Sequence, residues 1–347
     1  VPAGGALAVD RHKFSDAVTR ALSDHPLVTV ERAVADAIPD SPAIVATGPL
    51  TDPALTGAIE RLPGAKSLHF FGAAAPIVTA ESLDMSRVFR ASRYGRGADY
   101  LNCPMTEDEY NAFYDALVSA ELAELHDFEK KLVFEGCLAV EILASRGRQT
   151  LAFGPLKPVG LIDPRTGREP YAVVQLRQEN EAGTLYNLVG FQTRLKWGEQ
   201  KRVFSMIPGL ERAEFARYGV MHRNTYLNGP DMLGANYAFK SDPFLRFAGQ
   251  LTGVEGYMES TASGLTAAVG LACALEGRPE PDFTGRTLLG ALARHVSTPS
   301  ANFQPMNANY GILEPLSQRV KGKRNRYEQL SARAIDTLNE VIQQYEL

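Results

Sequence analysis

Apolar residues recur every fourth position at Phe14, Val18 and Leu22, just after Asp10, whose carboxylate can accept from the first free amides of a helix. The spacing predicts a helix that His25-Pro26 stops. Short apolar runs at Leu27 to Val30, Ala43 to Ala46 and Leu68 to Phe71 predict strands, with a helix from Pro53 to Leu62 between the last two. Strands alternating with helices in this way belong to part of a parallel, doubly wound sheet. From Ala75 to about Phe204 the texture changes. Thr106-Glu-Asp-Glu109 is a capping-box pattern opening a helix to about Leu125, and Tyr171 to Leu176 pairs with Thr184 to Gly190 as a hairpin. The strand pattern returns at Phe244 to Ala248, followed by Gly249, Gly253 and Gly256 and by a small-residue helix, Glu259 to Glu276. Strand, glycine turn and helix in that order form a nucleotide-binding arrangement. Leu330, Ala334, Leu338 and Ile342 then predict an amphipathic helix within Asn325 to Leu347 that packs on the body.

With 347 residues, 45% hydrophobic and 22% charged, the chain has room for two globular domains. Its apolar runs, such as Leu265 to Leu275, are broken by Gly, Thr and Ala and fall short of the roughly 20 residues a membrane span needs. No membrane association is expected, and with no secretory signal pattern the expected compartment is the cytoplasm. Three scattered cysteines, Cys103, Cys137 and Cys273, exclude a disulfide framework, and neither they nor the six histidines have metal-ligand spacing, so no metal is expected. The net charge of −4 announces no nucleic-acid binder, which leaves two local basic runs to carry any RNA affinity. One is Arg194, Lys196, Lys201 and Arg202; the other spans Arg319, Lys321, Lys323, Arg324 and Arg326. Either could also be an ordinary solvated face.

Four segments carry chemistry-bearing residues. Phe134-Glu-Gly-Cys137 places a thiol beside glycine, where backbone can approach a ligand, although a lone cysteine is often a buried hydrophobe. Tyr218-Gly-Val-Met-His-Arg-Asn-Thr-Tyr226 holds His222 among polar neighbours, although a histidine in such a place is more often an ordinary core or surface residue. Ala43-Ile-Val-Ala-Thr-Gly48 and Ala248-Gly-Gln-Leu-Thr-Gly-Val-Glu-Gly-Tyr257 are glycine turns after strands, suited to cofactor oxygens or simply tight.

Together these blocks resemble the folate-dependent, flavin-containing tRNA uracil-5-methyltransferases, in recognisable stretches from Val1-Pro-Ala-Gly-Gly-Ala-Leu-Ala-Val-Asp10 to the last helix. The resemblance implies an α/β fold with an FAD-binding, Rossmann-like domain of the glutathione-reductase type. Its parts would be residues 1–74 and 205–347, with an inserted α+β domain at 75–204. It implies that Thr47, Gly48, Gly249, Gln250, Gly253, Glu255, Gly256 and Tyr257 meet FAD, and that His222, Arg223 and Asn224 meet folate, the histidine stacking on the pterin. The family uses two cysteines, one at the flavin and one at the uracil, the first of them in its N-terminal portion; Cys137, the one that remains, would take one of these roles and is taken as the one that attacks C6 of uracil, leaving Cys103 and Cys273 structural. Arg194, Lys196, Lys201 and Arg202, with Lys321, Lys323 and Arg324, would touch RNA phosphates. The implied reaction methylates C5 of uridine 54 in the T loop of tRNA. The carbon comes from 5,10-methylenetetrahydrofolate and the electrons from reduced FAD, regenerated by NADPH or NADH. Members of the family begin with a strand and a G-x-G-x-x-G turn. That turn occurs nowhere in this chain, which is therefore expected to lack its N-terminal segment and with it the pyrophosphate site. Gly72 and Gly95 stand where the family pattern has aspartate. Two other readings are a related flavoprotein acting on the tRNA wobble uridine, and a non-catalytic RNA-binding remnant.

Overall fold

The computed structural model describes residues 1–3, 7–40, 42–65, 67–123, 138–300 and 303–347, with the side chains of 67–72 and 222–223 outside that description. Cys137 therefore lies outside the described residues. The chain divides into two compact units, Val1–Arg32 with Phe71–His222, and Ala33–Phe70 with Arg223–Leu347. The strands Ser67–Ala74 and Val220–Leu227, which pair with each other, carry the chain across both divisions. The boundaries expected from the sequence lie at 74 and 204. Residues beyond 204 join the first unit because Phe215–Arg217 is an edge strand of its sheet. The N-terminal stretch joins it too, through a hydrogen bond from the Tyr100 hydroxyl to the Ala3 carbonyl and an ion pair between Lys13 and Glu181.

The first unit is built on a six-stranded antiparallel sheet. Its order is Phe89–Arg90, Tyr100–Met105, Ala172–Gln178, Leu185–Leu188, Ile77–Thr79 and Phe215–Arg217. The predicted hairpin is its centre, Leu176 facing Leu188. Leu101 to Met105 and Ala172 to Val174 are buried in succession, so this part of the sheet is covered on both faces. One cover is the helix Glu107–Val118, opened by the predicted capping box: Thr106 Oγ1 accepts from the Glu109 amide at 3.3 Å, and the Glu109 carboxylate accepts from the Thr106 amide at 2.8 Å. It buries Tyr110, Phe113 and Leu117. The helix ends at Val118, short of the expected Leu125, because Ser119 turns its hydroxyl back onto the Asp115 carbonyl and Leu122 bridges to Leu195.

Asp10 caps the helix Arg11–Ser23, accepting from the amides of His12 and Lys13. Its apolar stripe is nevertheless exposed, Phe14 at 57% and Leu22 at 48%. The expected strand at Leu27 to Val30 is not formed; the segment is irregular and exposed, with no ladder partner among the described residues.

In the second unit Ala43–Val45 and Asp242–Phe247 run parallel, Val45 beside Phe247, and Ala238–Phe239 completes the sheet antiparallel. Asp52 and Pro53 start the helix Pro53–Glu60, and its Leu55, Ala58 and Ile59 join Val45, Leu245, Phe247 and Leu251 in one core. Burying a side chain such as Ile59 stabilises the unit by roughly 1.5–3 kcal/mol. The helix Tyr257–Leu275 is long and apolar enough to cross a membrane by length and composition. Its inner face, however, carries Ser263, Thr266, Ala267, Gly270 and Leu271 against the unit. Gly270 is required there, since a Cβ would lie 2.6 Å from Nη1 of the fully buried Arg246, which pairs with Glu280 at 2.7 and 3.0 Å. The helix Lys323–Tyr345 buries Leu330, Thr337 and Val341. The expected stripe is thus rotated, leaving Ile342 38% exposed.

Candidate cofactor and substrate site

The two glycine turns emerge side by side in the second unit. Ala43–Val45 and Asp242–Phe247 are adjacent parallel strands, the Ala248 amide donates to the Val45 carbonyl at 3.0 Å, and each strand then enters a glycine with positive φ, Gly48 at +76° and Gly249 at +72°. The crevice outside the carboxyl ends of parallel strands is where open α/β sheets bind ligands. A third segment joins them. In the strand Val220–Leu227 the Thr225 amide donates to the Pro49 carbonyl at 2.8 Å, holding Asn224 and Thr225 beside the Thr47-Gly48 turn.

Side chains lock both turns. Thr47 and Thr51 hydroxyls meet at 2.7 Å, and Thr51 donates to the Gly48 carbonyl. The Gly249 amide donates to Ser263 Oγ at 2.8 Å, and Thr252 donates back to the Gly249 carbonyl. Gly253 has φ +86° and lies under the Phe303 ring, which packs on Tyr226. Val254–Glu255 pairs in parallel with Met306–Asn307, after which Gly256, at φ +102°, opens the helix Tyr257–Leu275 with no side-chain cap. The Gly256 carbonyl starts the helix ladder by accepting from the Ser260 amide.

Three buried polar atoms in these segments have no partner among the described residues: Asn224 Oδ1, Glu255 Oε1 and Ser260 Oγ. Burying such a group without a hydrogen bond costs about 1–3 kcal/mol. Hydroxyl and amide groups such as a flavin carries are of the kind that pair with atoms like these, so the polar groups of these segments fit a polar cofactor. Gln250 Nε2 donates to the other Glu255 oxygen at 3.0 Å. Burial raises the Glu255 carboxyl above its usual range, the Glu259 charge adds to that, and the Gln250 bond opposes it.

Of the expected cofactor residues, the structure brings Thr47, Gly48, Gly249, Gln250, Gly253, Glu255, Gly256 and Asn224 into linked segments. Tyr257 is 92% exposed at the start of its helix. His222 and Arg223 lie on the strand beside Asn224, their side chains outside the described residues. Ser263 and Thr51 were not anticipated, because a serine inside a small-residue helix and a threonine in a loop carry no sequence signal of what they hold. Cys103 and Cys273 are both buried, at 0% and 1% exposure, and burial pushes the Cys103 thiol far up.

Four residues of the basic runs pair with acids. Arg194 is mostly buried against Glu141, whose carboxylate accepts from the Arg194 amide and Thr193 Oγ1, both at 2.9 Å. Lys196 pairs with Glu121 at 2.7 Å, Arg202 with Glu199 at 2.6 Å and Arg324 with Glu328 at 2.9 Å. Lys323 lies over the Tyr327 ring, and Lys201 and Lys321 are exposed.

Comparison with known proteins bears on the family to which the chain belongs. The family profile of Glucose inhibited division protein A matches residues 1–279. Methylenetetrahydrofolate--tRNA-(uracil-5-)-methyltransferase TrmFO of Halalkalibacterium halodurans is 54% identical over 99% of this chain and 79% of its own length. The proteins of the same name from Desulfitobacterium hafniense and Heliobacterium modesticaldum are each 58% identical, over 98% and 97% of this chain and 78% of their own lengths. Among solved structures, Aquifex aeolicus GidA in the form I crystal superposes with a TM-score of 0.63 at 14% identity, covering 86% of this chain and 56% of that one, which shows a shared α/β fold. Two glycine turns side by side at the ends of parallel strands, a matching family profile and relatives this similar over nearly the whole chain lead to one conclusion: the chain belongs to the TrmFO/Gid family.

Proposed function

We propose that this protein methylates C5 of uridine in tRNA, taking the carbon from 5,10-methylenetetrahydrofolate. The observation that carries this reading is the 54–58% identity, over nearly the whole chain, to relatives named for that activity. The unpartnered acceptors of Asn224 and Glu255 support a polar, ring-bearing ligand at the glycine turns. There FAD, when bound, supplies the electrons that reduce a transferred methylene to methyl, and NADPH or NADH restores them.

The target in this proposal is uridine 54 of the T loop, and Cys137 is the nucleophile. Its thiolate adds to C6 of uracil, the C5–C6 double bond opens to an enolate, and C5 becomes able to attack the one-carbon unit. Once the carbon is in place, the C5 proton leaves, the bond between that carbon and its donor nitrogen breaks, two electrons and a proton that bound reduced FAD would supply complete the methyl, and the thiolate departs as the C5–C6 double bond re-forms. Both other cysteines are packed in hydrophobic interior, so neither can reach a base. Gln250, Glu255 and the turn amides orient the cofactor, and the strand bearing His222, Arg223 and Asn224 takes the folate. A base buried at the tRNA elbow must leave its stack to be reached.

The test is methyl incorporation into tRNA transcripts by the purified, flavin-loaded protein. Incorporation that requires folate and stops when uridine 54 is changed to cytidine supports the proposal. Unaltered incorporation into the changed transcript moves the target elsewhere, and a colourless protein with no folate-dependent turnover supports the RNA-binding remnant.

A further inference from the structure

The chain has a single tryptophan, Trp197, and it is 62% exposed at the start of the helix Trp197–Phe204 in the first unit. The indole is held. One face stacks on Tyr218, with centroids 5.5 Å apart and planes 11° from parallel, and Tyr218 stacks in turn on Phe215 at 5.1 Å and 12°. Phe215 packs on Phe204, which meets Phe191 edge-on in the core. A ladder of rings thus runs from the interior to a flat indole whose outer face meets solvent.

The surroundings are cationic, although the chain as a whole is net negative. Lys201 and Arg212 line a 390 Å³ cleft along the ladder together with Phe215 and Tyr218, and Arg217 and Arg202 are exposed nearby. Of the acids in this region, Glu211 pairs with Arg87 at 2.7 Å and Glu199 with Arg202 at 2.6 Å, which leaves Glu214 as the nearby acid that no ion pair described here neutralises. An aromatic ladder with cations along one side suits a flat base joined to a phosphate backbone better than it suits an apolar protein surface.

We propose that Trp197 is a stacking platform for one unpaired nucleobase of the RNA substrate, with Lys201, Arg212 and Arg217 facing the adjoining phosphates. This rests on the reading above that the substrate is RNA. It adds a contact that the basic residues alone do not supply, since phosphate contacts position while stacking requires a base.

The test uses the full chain with its FAD and a T-arm hairpin RNA. Because Trp197 is the sole tryptophan, its emission reports this position alone. The inference expects emission to fall on RNA binding with the same midpoint as an electrophoretic shift. Trp197→Leu should bind about tenfold more weakly, the loss of one stacked base, and Trp197→Phe less so. Replacing the stacked nucleotide by an abasic sugar should weaken wild type but leave Trp197→Leu unchanged, a coupling that a merely structural tryptophan would not produce. Intact RNA binding with unchanged emission, or with equal affinity for Trp197→Leu, overturns the inference and leaves the RNA reading standing. A raised folate KM with unchanged RNA affinity assigns the platform to the pterin, and an emission change with protein concentration alone assigns it to a second copy; either overturns it. A wild-type protein that binds no RNA removes the RNA reading and this inference together.

Discussion

Replacing Gly253 by alanine probes the packing on which the second glycine turn depends. Gly253 sits at φ +86°, a conformation that costs an L-residue roughly 1–2 kcal/mol, and an added Cβ would lie 2.8 Å from Phe303 Cζ and 3.1 Å from Cε1. Phe303 is 5% exposed and packed on Tyr226, itself 2% exposed, so the ring has nowhere to retreat, and overpacking adds about 1–3 kcal/mol. The sum is about 2–5 kcal/mol. A unit of this size loses roughly 2–4 °C of Tm per kcal/mol, so thermal unfolding should fall by several degrees at the least. Flavin retained after gel filtration should fall with it, because the turn that presents Gln250 and Glu255 must shift. Gly57→Ala is the control: that glycine is helical with ordinary φ and open space around its Cβ, and the change should stabilise by up to ~1 kcal/mol. A Gly253→Ala protein as stable as wild type, with full flavin content, would refute the reasoning.

Other outcomes follow from the same geometry. Ser263→Ala removes the acceptor for the Gly249 amide and should cost about 1–3 kcal/mol in denaturant unfolding, with a matching loss of flavin. Glu280→Gln leaves Arg246 buried beside a neutral partner and should destabilise by about 3–5 kcal/mol, read from chemical denaturation. The raised Glu255 carboxyl holds its proton more tightly folded than unfolded. Its contribution to stability is therefore largest below the ordinary carboxylate range and declines as pH rises through the folded value; Glu255→Gln should flatten that part of the stability–pH curve. Native alkylation mapped by mass spectrometry should spare Cys103 and Cys273 until the protein unfolds.

Local chemistry made much of the fold legible. Asp10, Asp52 with Pro53, and Thr106 with Glu109 start helices where expected because a cap is decided by residues within one turn. The glycine turns were readable because each follows a strand and needs φ that other residues resist. What failed depends on partners distant in sequence. Leu27 to Val30 is apolar enough for a strand, but a strand exists only with a ladder beside it. Arg194 looked like a surface cation because nothing near it in sequence reveals Glu141, 53 residues away. Trp197 had no assigned role because its ladder through Tyr218 and Phe215 forms only when the helix and the edge strand meet.

The central claim is a cysteine–uracil bond, and a tRNA carrying 5-fluorouridine at position 54 tests it most directly. With fluorine in place of the C5 proton, the adduct that carries the one-carbon unit at C5 cannot eliminate the thiolate, so protein and RNA should stay joined through denaturing electrophoresis, with mass spectrometry finding the RNA on the peptide containing Cys137. Failure to trap any adduct under conditions of active turnover, or an adduct that persists in Cys137→Ala, would contradict the account.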